Sequence, residues 1–386
     1  MIRGHREIFP KLERAIGQGE HWIWLHAASL GEFEQGRPII EQIKHDYPKY
    51  KILLTFFSPS GYEVRSNYAG ADCVCYLPFD IPCRVKRFIG KVKPDMAIFV
   101  KYEFWRNYLE TLAQSGIPVY LVSAVFRPNQ FFFKRRSAWY GHWLKWYTRI
   151  FVQDERSRNL LASIGVKDVD VCGDTRFDRV AEIKESRKVI PELEKFTSGS
   201  ASVMMAGSSW PQDEDIYSLW FNNHPEVKLV IAPHEFDSER LIQLKKRFRN
   251  GAILMSELKE KPTVEENSQV LIMDCFGLLS SAYAYCNVAY VGGGFGSGLH
   301  NINEAAVYGI PVIYGPNNSK FIEAREMAEA GGGFPIASKE DFNMLADKFF
   351  TSVEERNAAG SAAGKYIKSK LGATERILNK ITIKSI

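Results

Sequence analysis

Gly292-Gly293-Gly294-Phe295-Gly296-Ser297-Gly298-Leu299-His300-Asn301-Ile302-Asn303-Glu304 is the stretch on which the reading of this chain turns. It follows a β-like run at 287–291 and leads into a helical pattern that stops at Gly309. A glycine-rich turn thus joins a strand to a helix, where backbone can approach an anion closely and the helix end favours negative charge. Asn301 and Glu304 are three apart and share one face of the first helical turn. A carboxylate beside a phosphate site is suited to accept hydrogen bonds from sugar hydroxyls, so the pair reads as a clamp on a nucleotide ribose. A capped helix after a tight turn is the plainer reading of the same residues. The stretch is not a dinucleotide fingerprint, whose glycines follow the first strand of a domain with an acid about 20 residues later. Nor is it a Walker loop, because no Gly-Lys-Ser/Thr follows.

Outward from that turn, strand and helix alternate. β-rich runs recur at 22–26, 51–57, 73–77, 96–101, 119–123, 150–153 and 169–172, with helical patterns between them such as 33–47, 81–92, 104–115 and 157–164. The second half repeats the alternation at 203–206, 228–232, 269–273, 287–291 and 311–314. Continuous apolar strands separated by helices predict parallel sheets covered on both faces. A length of 386 residues suits about two domains. The polar stretch 182–200, rich in Lys, Glu and Ser, reads as their boundary. We expect an α/β protein of two doubly wound, Rossmann-like domains facing a cleft, with ligands bound beyond the carboxyl ends of the strands.

Composition narrows the class. The chain is 45% hydrophobic and 13% aromatic with a net charge of +5, enough apolar residue for well-packed cores and only mildly basic. Six cysteines are scattered, and no second Cys/His pair stands at zinc-ligand spacing, so buried free thiols are expected. No apolar run approaches the length of a membrane span, and no signal peptide is legible. Met1-Ile2-Arg3-Gly4 runs straight into a helical pattern, which leaves room for an upstream segment.

Chemistry-bearing residues stand at the expected strand ends. After the first run comes Ala27-Ala28-Ser29-Leu30-Gly31-Glu32. Ser29 and Glu32 have capping-box spacing. The alternative is that Gly31 lets the chain turn tightly and Glu32 projects as a general base able to take a proton from a sugar hydroxyl. After 96–101 comes Tyr102-Glu103-Phe104-Trp105, where Glu103 is either an acid favoured by a helix N-terminus or a carboxylate in an aromatic site. Gly173-Asp174-Thr175-Arg176-Phe177-Asp178 offers Arg176, a fixed guanidinium able to stabilise a phosphate or a developing anion, or a surface ion pair with Asp174 or Asp178.

These motifs, in this order, resemble those of 3-deoxy-D-manno-octulosonic acid (Kdo) transferases of the lipid A pathway. His26 to Glu32 and Tyr102 to Asn107 are similar to the family's amino-terminal signatures, and Gly173 to Asp178 to its Gly-x-x-Lys/Arg-Phe-Asp segment. Ala232-Pro233-His234, Asp274-Cys275-Phe276-Gly277-Leu278-Leu279 and the glycine-rich stretch resemble its donor-site motifs. The resemblance runs roughly from Arg3 to Ile377. It implies a GT-B fold and an inverting transfer of Kdo from CMP-Kdo to a lipid A precursor. The implied place is the cytoplasmic face of the inner membrane of a Gram-negative bacterium. It implies an acceptor-binding domain at 1–185, a CMP-Kdo-binding domain at 186–370, and a helix at 371–386 that packs back on the first. By resemblance, Glu32 is the proton acceptor, and Glu103 and Arg176 stabilise the transition state. Pro233, His234, Phe276, Gly277, Leu278, Asn301 and Glu304 hold the donor. Neither a cofactor nor a metal is expected, since the acids near the strand ends lack the clustering of a cation site. The sequence departs from the family at His234, where Arg is common, so a donor-phosphate or carboxylate contact is expected to be weaker or to come from Arg240. The family's amino-terminal hydrophobic anchor is not legible in these residues, so either an upstream segment or other elements are expected to make the membrane contact.

Residues 126–149 offer another route to a membrane. They carry Arg127, Lys134, Arg135, Arg136, Lys145 and Arg149 with no acid, interleaved with nine aromatic side chains from Phe126 to Tyr147. Basic plus aromatic is what an anionic lipid–water interface selects, and Arg127, Lys134, Arg135 and Arg136 are the candidate contacts. Aromatics in the core with solvated charges is the plainer reading, and nucleic-acid binding the least favoured, so no nucleic-acid partner is expected. Two other classes stay open. A GT-B-like sugar-nucleotide epimerase needs no basic-aromatic stretch. A non-catalytic membrane-surface module needs no Glu32 and Glu103.

Overall fold

The computed structural model describes residue 4 and residues 6–260, 268–296 and 298–386, with the side chains of 135–139 excepted. The chain forms two compact units, Met1–Arg179 with Lys370–Ile386, and Val180–Ser369.

The first unit is built on seven strands: β1 Trp22–Ala27, β2 Lys51–Phe56, β3 Cys73–Tyr76, β4 Met96–Val100, β5 Val119–Ala124, β6 Arg149–Val152 and β7 Val169–Val171. All pair in parallel in the order β3-β2-β1-β4-β5-β6-β7. The order reverses between β1 and β4, which opens a crevice at their carboxyl ends. Both faces are covered. Helices Ile8–Ala15, Pro82–Val92 and Arg106–Gln114 lie on one, beside two 3-10 stretches, Phe131–Phe133 and Arg135–Trp146. Helix Pro82–Val92 shows why: Val85, Phe88, Ile89 and Val92 fall on one face and are buried, Pro82 starts the first turn, and Lys93 closes it in the left-handed region. Each such side chain contributes about 1.5–3 kcal/mol of burial. On the other face, helix Leu30–Asp46 and the chain's end share a core through Ile39, Ile43, Ile377 and Ile381. The Tyr50 hydroxyl donates to the Lys384 carbonyl at 3.1 Å, tying that end down.

The second unit repeats the plan with β8 Val203–Ser209, β9 Lys228–Pro233, β10 Ala252–Leu254, β11 Val270–Ile272, β12 Val288–Val291, β13 Val312–Tyr314 and β14 Gly333–Pro335. Their order, β10-β11-β9-β8-β12-β13-β14, reverses between β8 and β12. The sequence pattern misses β10 and β14. Both are three-residue edge strands with one neighbour each, too short for apolar periodicity to register.

Lys101 (φ 72°), Ser123 (φ 53°) and Ser208 (φ 51°) are left-handed without being glycine. Each stands at the carboxyl end of a strand, β4, β5 or β8. Such conformations cost about 1–3 kcal/mol and concentrate where a fold builds a site.

Candidate active site

In the first unit the site grows from the β1/β4 crevice. Glu32 lies in the first turn of helix Leu30–Asp46, half-buried, and the Ser29 hydroxyl donates to its Oε2. Ser29 makes no side-chain cap to the helix, so the capping box does not form. Gly31 is not the tight turn expected. It sits inside the helix without a left-handed φ, and Ser29, extended at φ −136° and ψ 178°, makes the entry.

Glu103 is 6% exposed and serves no helix end. Asp80 instead meets the amides of Asn107 and Tyr108 at the start of the next helix, both at 3.3 Å. Glu103 Oε2 lies 3.0 Å from His26 Nε2 and accepts from Trp105 Nε1 at 2.5 Å. His26, at the end of β1, meets the Thr55 hydroxyl of β2 through Nδ1 at 2.9 Å, and that hydroxyl also accepts from Trp24 Nε1 at 2.8 Å. Three neighbouring strands therefore hold one carboxylate, and Oε1 is the oxygen left for a ligand. His26, Thr55 and Trp105 were not singled out from the sequence. A histidine ending a strand that precedes a candidate base was the available signal.

Arg176 is fixed by Asp174, whose carboxylate accepts from the Arg176 amide at 2.9 Å and from its Nε at 2.8 Å. Asp178 is used elsewhere, accepting from Gly372 and Thr374 at 2.7 and 2.6 Å. Tyr102 links these groups. Burial raises its hydroxyl above the usual tyrosine range, and it lies within the fields of Arg127, Glu32, Arg176 and Asp174. The first unit thus gathers two carboxylates and two guanidinium groups around one phenol. Arg127, a candidate membrane contact, is exposed.

The basic-aromatic stretch is split. Phe126, Phe132, Leu144 and Tyr147 are core, and the Tyr147 hydroxyl donates to the Glu103 carbonyl at 2.5 Å. Phe131 is exposed, as is Lys134, and Arg149 pairs with Asp170 at 2.9 Å. The side chains of Arg135 and Arg136 lie outside the described residues, as do Met1 and Ser297.

In the second unit the glycine-rich turn follows β12 at the β8/β12 reversal, and here the expectation needs correction. The helix after it is one turn, Asn303–Ala306, too short for a substantial end dipole. Several amides of the turn are already engaged. Gly293 N–H donates to Asp213 Oδ2 at 2.9 Å, and Gly296 and Gly298 donate to the Gly293 carbonyl at 3.1 and 3.0 Å. The glycines serve close packing: a Cβ on Gly292 would lie 2.3 Å from the Ser208 carbonyl oxygen, and one on Gly294 2.7 Å from Gly315 Cα.

Glu304 is an oriented carboxylate: Asn301 Nδ2 donates to Oε1 at 3.1 Å and the Ser280 hydroxyl to Oε2 at 2.5 Å. Pro233 ends β9, and His234 beyond it is exposed and stacked on Trp210, centroids 4.4 Å apart, with His300 at 4.6 Å. Arg240 is not the substitute cation expected, because it is paired with the fully buried Glu214. Phe276, Gly277 and Leu278 form the loop after β11, with Phe276 exposed and Gly277 left-handed at φ 79°. No group of three or more potential metal ligands occurs among the described residues, and no helix there is long and apolar enough to cross a membrane.

His300, inside the quoted turn, was also missed. Its Nε2 accepts from Trp210 Nε1 at 3.2 Å, so the neutral ring carries its proton on Nδ1. Burial first, and the His234 ring second, push His300 down from 6.5 to about 4. The unfolded chain then binds this proton before the folded one does. The stabilisation is complete above about pH 6.5 and is lost as pH falls towards 4. We expect chemical-denaturation stability to fall across that window with a slope of up to about 1.4 kcal/mol per pH unit from this group. His300→Asn should flatten the slope; equal slopes in both proteins would assign the titration elsewhere.

Residues 4–179 match the family model described as 3-Deoxy-D-manno-octulosonic-acid transferase (kdotransferase). The 3-deoxy-D-manno-octulosonic acid transferase of Aquifex aeolicus is 28% identical over 366 residues, 91% of this chain and 93% of that protein. That of Haemophilus influenzae is 26% identical over 369 residues, 92% and 86% of the two chains. In fold, the chain is similar to UDP-GlcNAc 2-epimerase from Neisseria meningitidis, with TM-score 0.66 at 14% identity over 93% of this chain and 98% of that one. It is also similar to Acinetobacter baumannii MurG, with TM-score 0.54 at 11% identity over 93% and 98%. The α/β architecture is thus of GT-B type, shared by epimerases and glycosyltransferases, and sequence separates them. A family model over residues 4–179 and collinear relatives over nine-tenths of the chain make this protein similar to the Kdo transferases and support a glycosyltransferase.

Proposed function

We propose that this chain moves Kdo from CMP-Kdo to a lipid A precursor with inversion, at the cytoplasmic face of a bacterial inner membrane. The reading rests on the similarity to Kdo transferases and on one observation above others: Glu32 stands half-buried in the first turn of its helix, with Ser29 on one oxygen. Glu32 takes the proton of the acceptor hydroxyl as its oxygen bonds to the anomeric carbon. The bond from that carbon to the CMP phosphate oxygen breaks, and CMP departs as the anion. Glu103 and Arg176 stabilise charge that develops on the sugar and its carboxylate, where fixed groups act most strongly. The first unit would carry the acceptor and the second the nucleotide. Mass spectrometry of the product from CMP-Kdo and lipid A precursor tests this directly. Acceptor increased by the mass of one Kdo residue, Kdo less one water, is expected. An unmodified acceptor, with isomerised sugar from a UDP-hexosamine, would favour the epimerase reading.

The donor contact has its own test. With Glu304 on the ribose hydroxyls, Glu304→Gln should weaken CMP binding about tenfold, the scale of a hydrogen bond to a charged group. 2′,3′-Dideoxy-CMP should bind variant and wild type alike in calorimetry. Discrimination between them by that analogue would give Glu304 another role.

Membrane attachment is supported by how the first unit's helices are distributed. Helix Pro82–Val92 carries Arg84, Lys86, Arg87 and Lys91 with no acid, and exposed Phe79 and Ile81 precede it. It shares a core, and so a side of the sheet, with the 3-10 stretches that present Phe131 and Lys134. Each cation near an anionic surface contributes about 1 kcal/mol. Replacing Lys134, Arg135 and Arg136 with Ser should release the protein from anionic liposomes and raise KM for the acceptor but not for CMP-Kdo. High salt should act likewise, since exposed charges are screened over about 8–10 Å. A triple variant that still sediments with vesicles at low salt would move attachment to other elements.

A further inference from the structure

Ser123 takes no part in the chemistry proposed above, yet its backbone is strained. It is left-handed at φ 53°, fully buried, and lies where the β5–β6 register shifts between Leu121 and Ala124. Such an irregularity re-aims a side chain, and a left-handed conformation outside glycine persists only where its surroundings hold it. Two contacts hold this one. Gln153 Nε2 donates to the Ser123 carbonyl at 3.1 Å, and the Ser123 hydroxyl lies 3.0 Å from that of Thr175. Thr175 opens helix Thr175–Glu185 and is also fully buried. Its hydroxyl donates to the Gln35 carbonyl at 2.6 Å. A carbonyl can only accept, so the one proton of Thr175 is spent there, and Ser123 is the donor between the two hydroxyls.

Gln35 stands three residues after Glu32 on helix Leu30–Asp46, so the two share a face. Its Nε2 reaches Asp174 Oδ1 at 3.4 Å. Asp174 in turn holds Arg176 through its amide, Nε and Nη2, at 2.9, 2.8 and 2.7 Å. Thr175, between the carboxylate that fixes the guanidinium and the guanidinium itself, is thus pinned to the helix that carries Glu32 and to the end of β5. We propose that Thr175 is a positioning residue for the transfer, which sets Arg176 in place relative to Glu32, and that the strain at Ser123 serves this contact. The inference rests on the roles given above to Glu32 and Arg176 and names the group that ties them together. A hydroxyl suits the place because it donates to Gln35 and accepts from Ser123 at once.

Thr175→Val keeps the shape and removes the hydroxyl. Its kcat should fall by about 10- to 100-fold, the scale of a misplacement of about 1 Å near a reacting centre, while CMP affinity stays as in wild type. Thr175→Ser, which keeps the hydroxyl, should restore most of the rate. In an Arg176→Ala background Thr175→Val should cost no further rate, because a residue that acts through Arg176 then has nothing to position. A folded Thr175→Val with near-normal kcat and lowered stability alone overturns the proposal, as does a loss that multiplies with that of Arg176→Ala. Wild type that makes no Kdo product would overturn the transferase reading separately. A crystal structure of Thr175→Val would then decide the positioning: Arg176 displaced relative to Glu32 supports it, and Arg176 unmoved overturns it.

Discussion

Glu32→Ala is expected to lower Kdo transfer by about 10²- to 10⁴-fold, the usual cost of removing a general base. Stability should change little. The side chain is half-buried and its partner is Ser29, whose hydroxyl solvent can satisfy once the carboxylate is gone. The helix start keeps its Phe33 amide to Ser29 carbonyl bond at 3.0 Å and loses only an acid favoured by the helix dipole, worth about 0.3–1 kcal/mol. Glu32→Gln is the sharper variant, because it can still meet Ser29 but cannot take a proton. Initial rates with saturating CMP-Kdo decide the matter. Gln and Ala variants equally inactive, with CMP affinity intact, support the base. Near-normal turnover in Glu32→Gln would reduce Glu32 to a helix-start residue.

Glu103→Ala should harm both activity and folding. His26 Nε2 at 3.0 Å and Trp105 Nε1 at 2.5 Å both converge on Oε2, and His26 is fully buried. Removing the acceptor strands donors that water cannot easily reach, at a cost of about 2–3 kcal/mol. Glu103→Gln separates the two roles. Its amide oxygen can still accept, so most stability should return, whereas the charge is gone and transfer should stay low. Denaturant midpoints and kcat for the two variants provide the check. Full activity in Glu103→Gln would make the residue a tie between β1 and β4 with no part in the chemistry.

Much of the fold was legible because it depends on short-range regularities. Twelve apolar runs predicted strands, and each has a strand in the structure; the alternation of strand and helix demanded parallel pairing, and every pairing is parallel. Edge strands β10 and β14 escaped, since three residues held from one side need no apolar pattern. Positions within the candidate site were legible too, because ligand-facing residues follow strand ends and strand ends can be read. Their partners were not. His26 with Glu103, Asp213 with Gly293 and Ser280 with Glu304 are separated by 77, 80 and 24 residues, and nothing local couples them.

The same division explains the corrections. Gly31 and the glycines at 292–294 look alike in a sequence, as residues that free the backbone. Tertiary packing makes the first an ordinary helical position and the others places where a Cβ would strike Ser208 or Gly315. Arg240 is a free cation on paper, and the buried Glu214 claims it. The aromatics of 126–149 form one interface on paper, and the core takes Phe126, Phe132 and Tyr147. By itself the sequence determined the two parallel sheets, the resemblance to Kdo transferases and the strand ends that carry the candidate chemistry, because periodicity and motif are properties of neighbours along the chain. Only the tertiary structure decided which carboxylate is oriented, which amide is already engaged and which ring stays exposed, because burial and hydrogen-bond partnership depend on residues that meet only after the chain has folded.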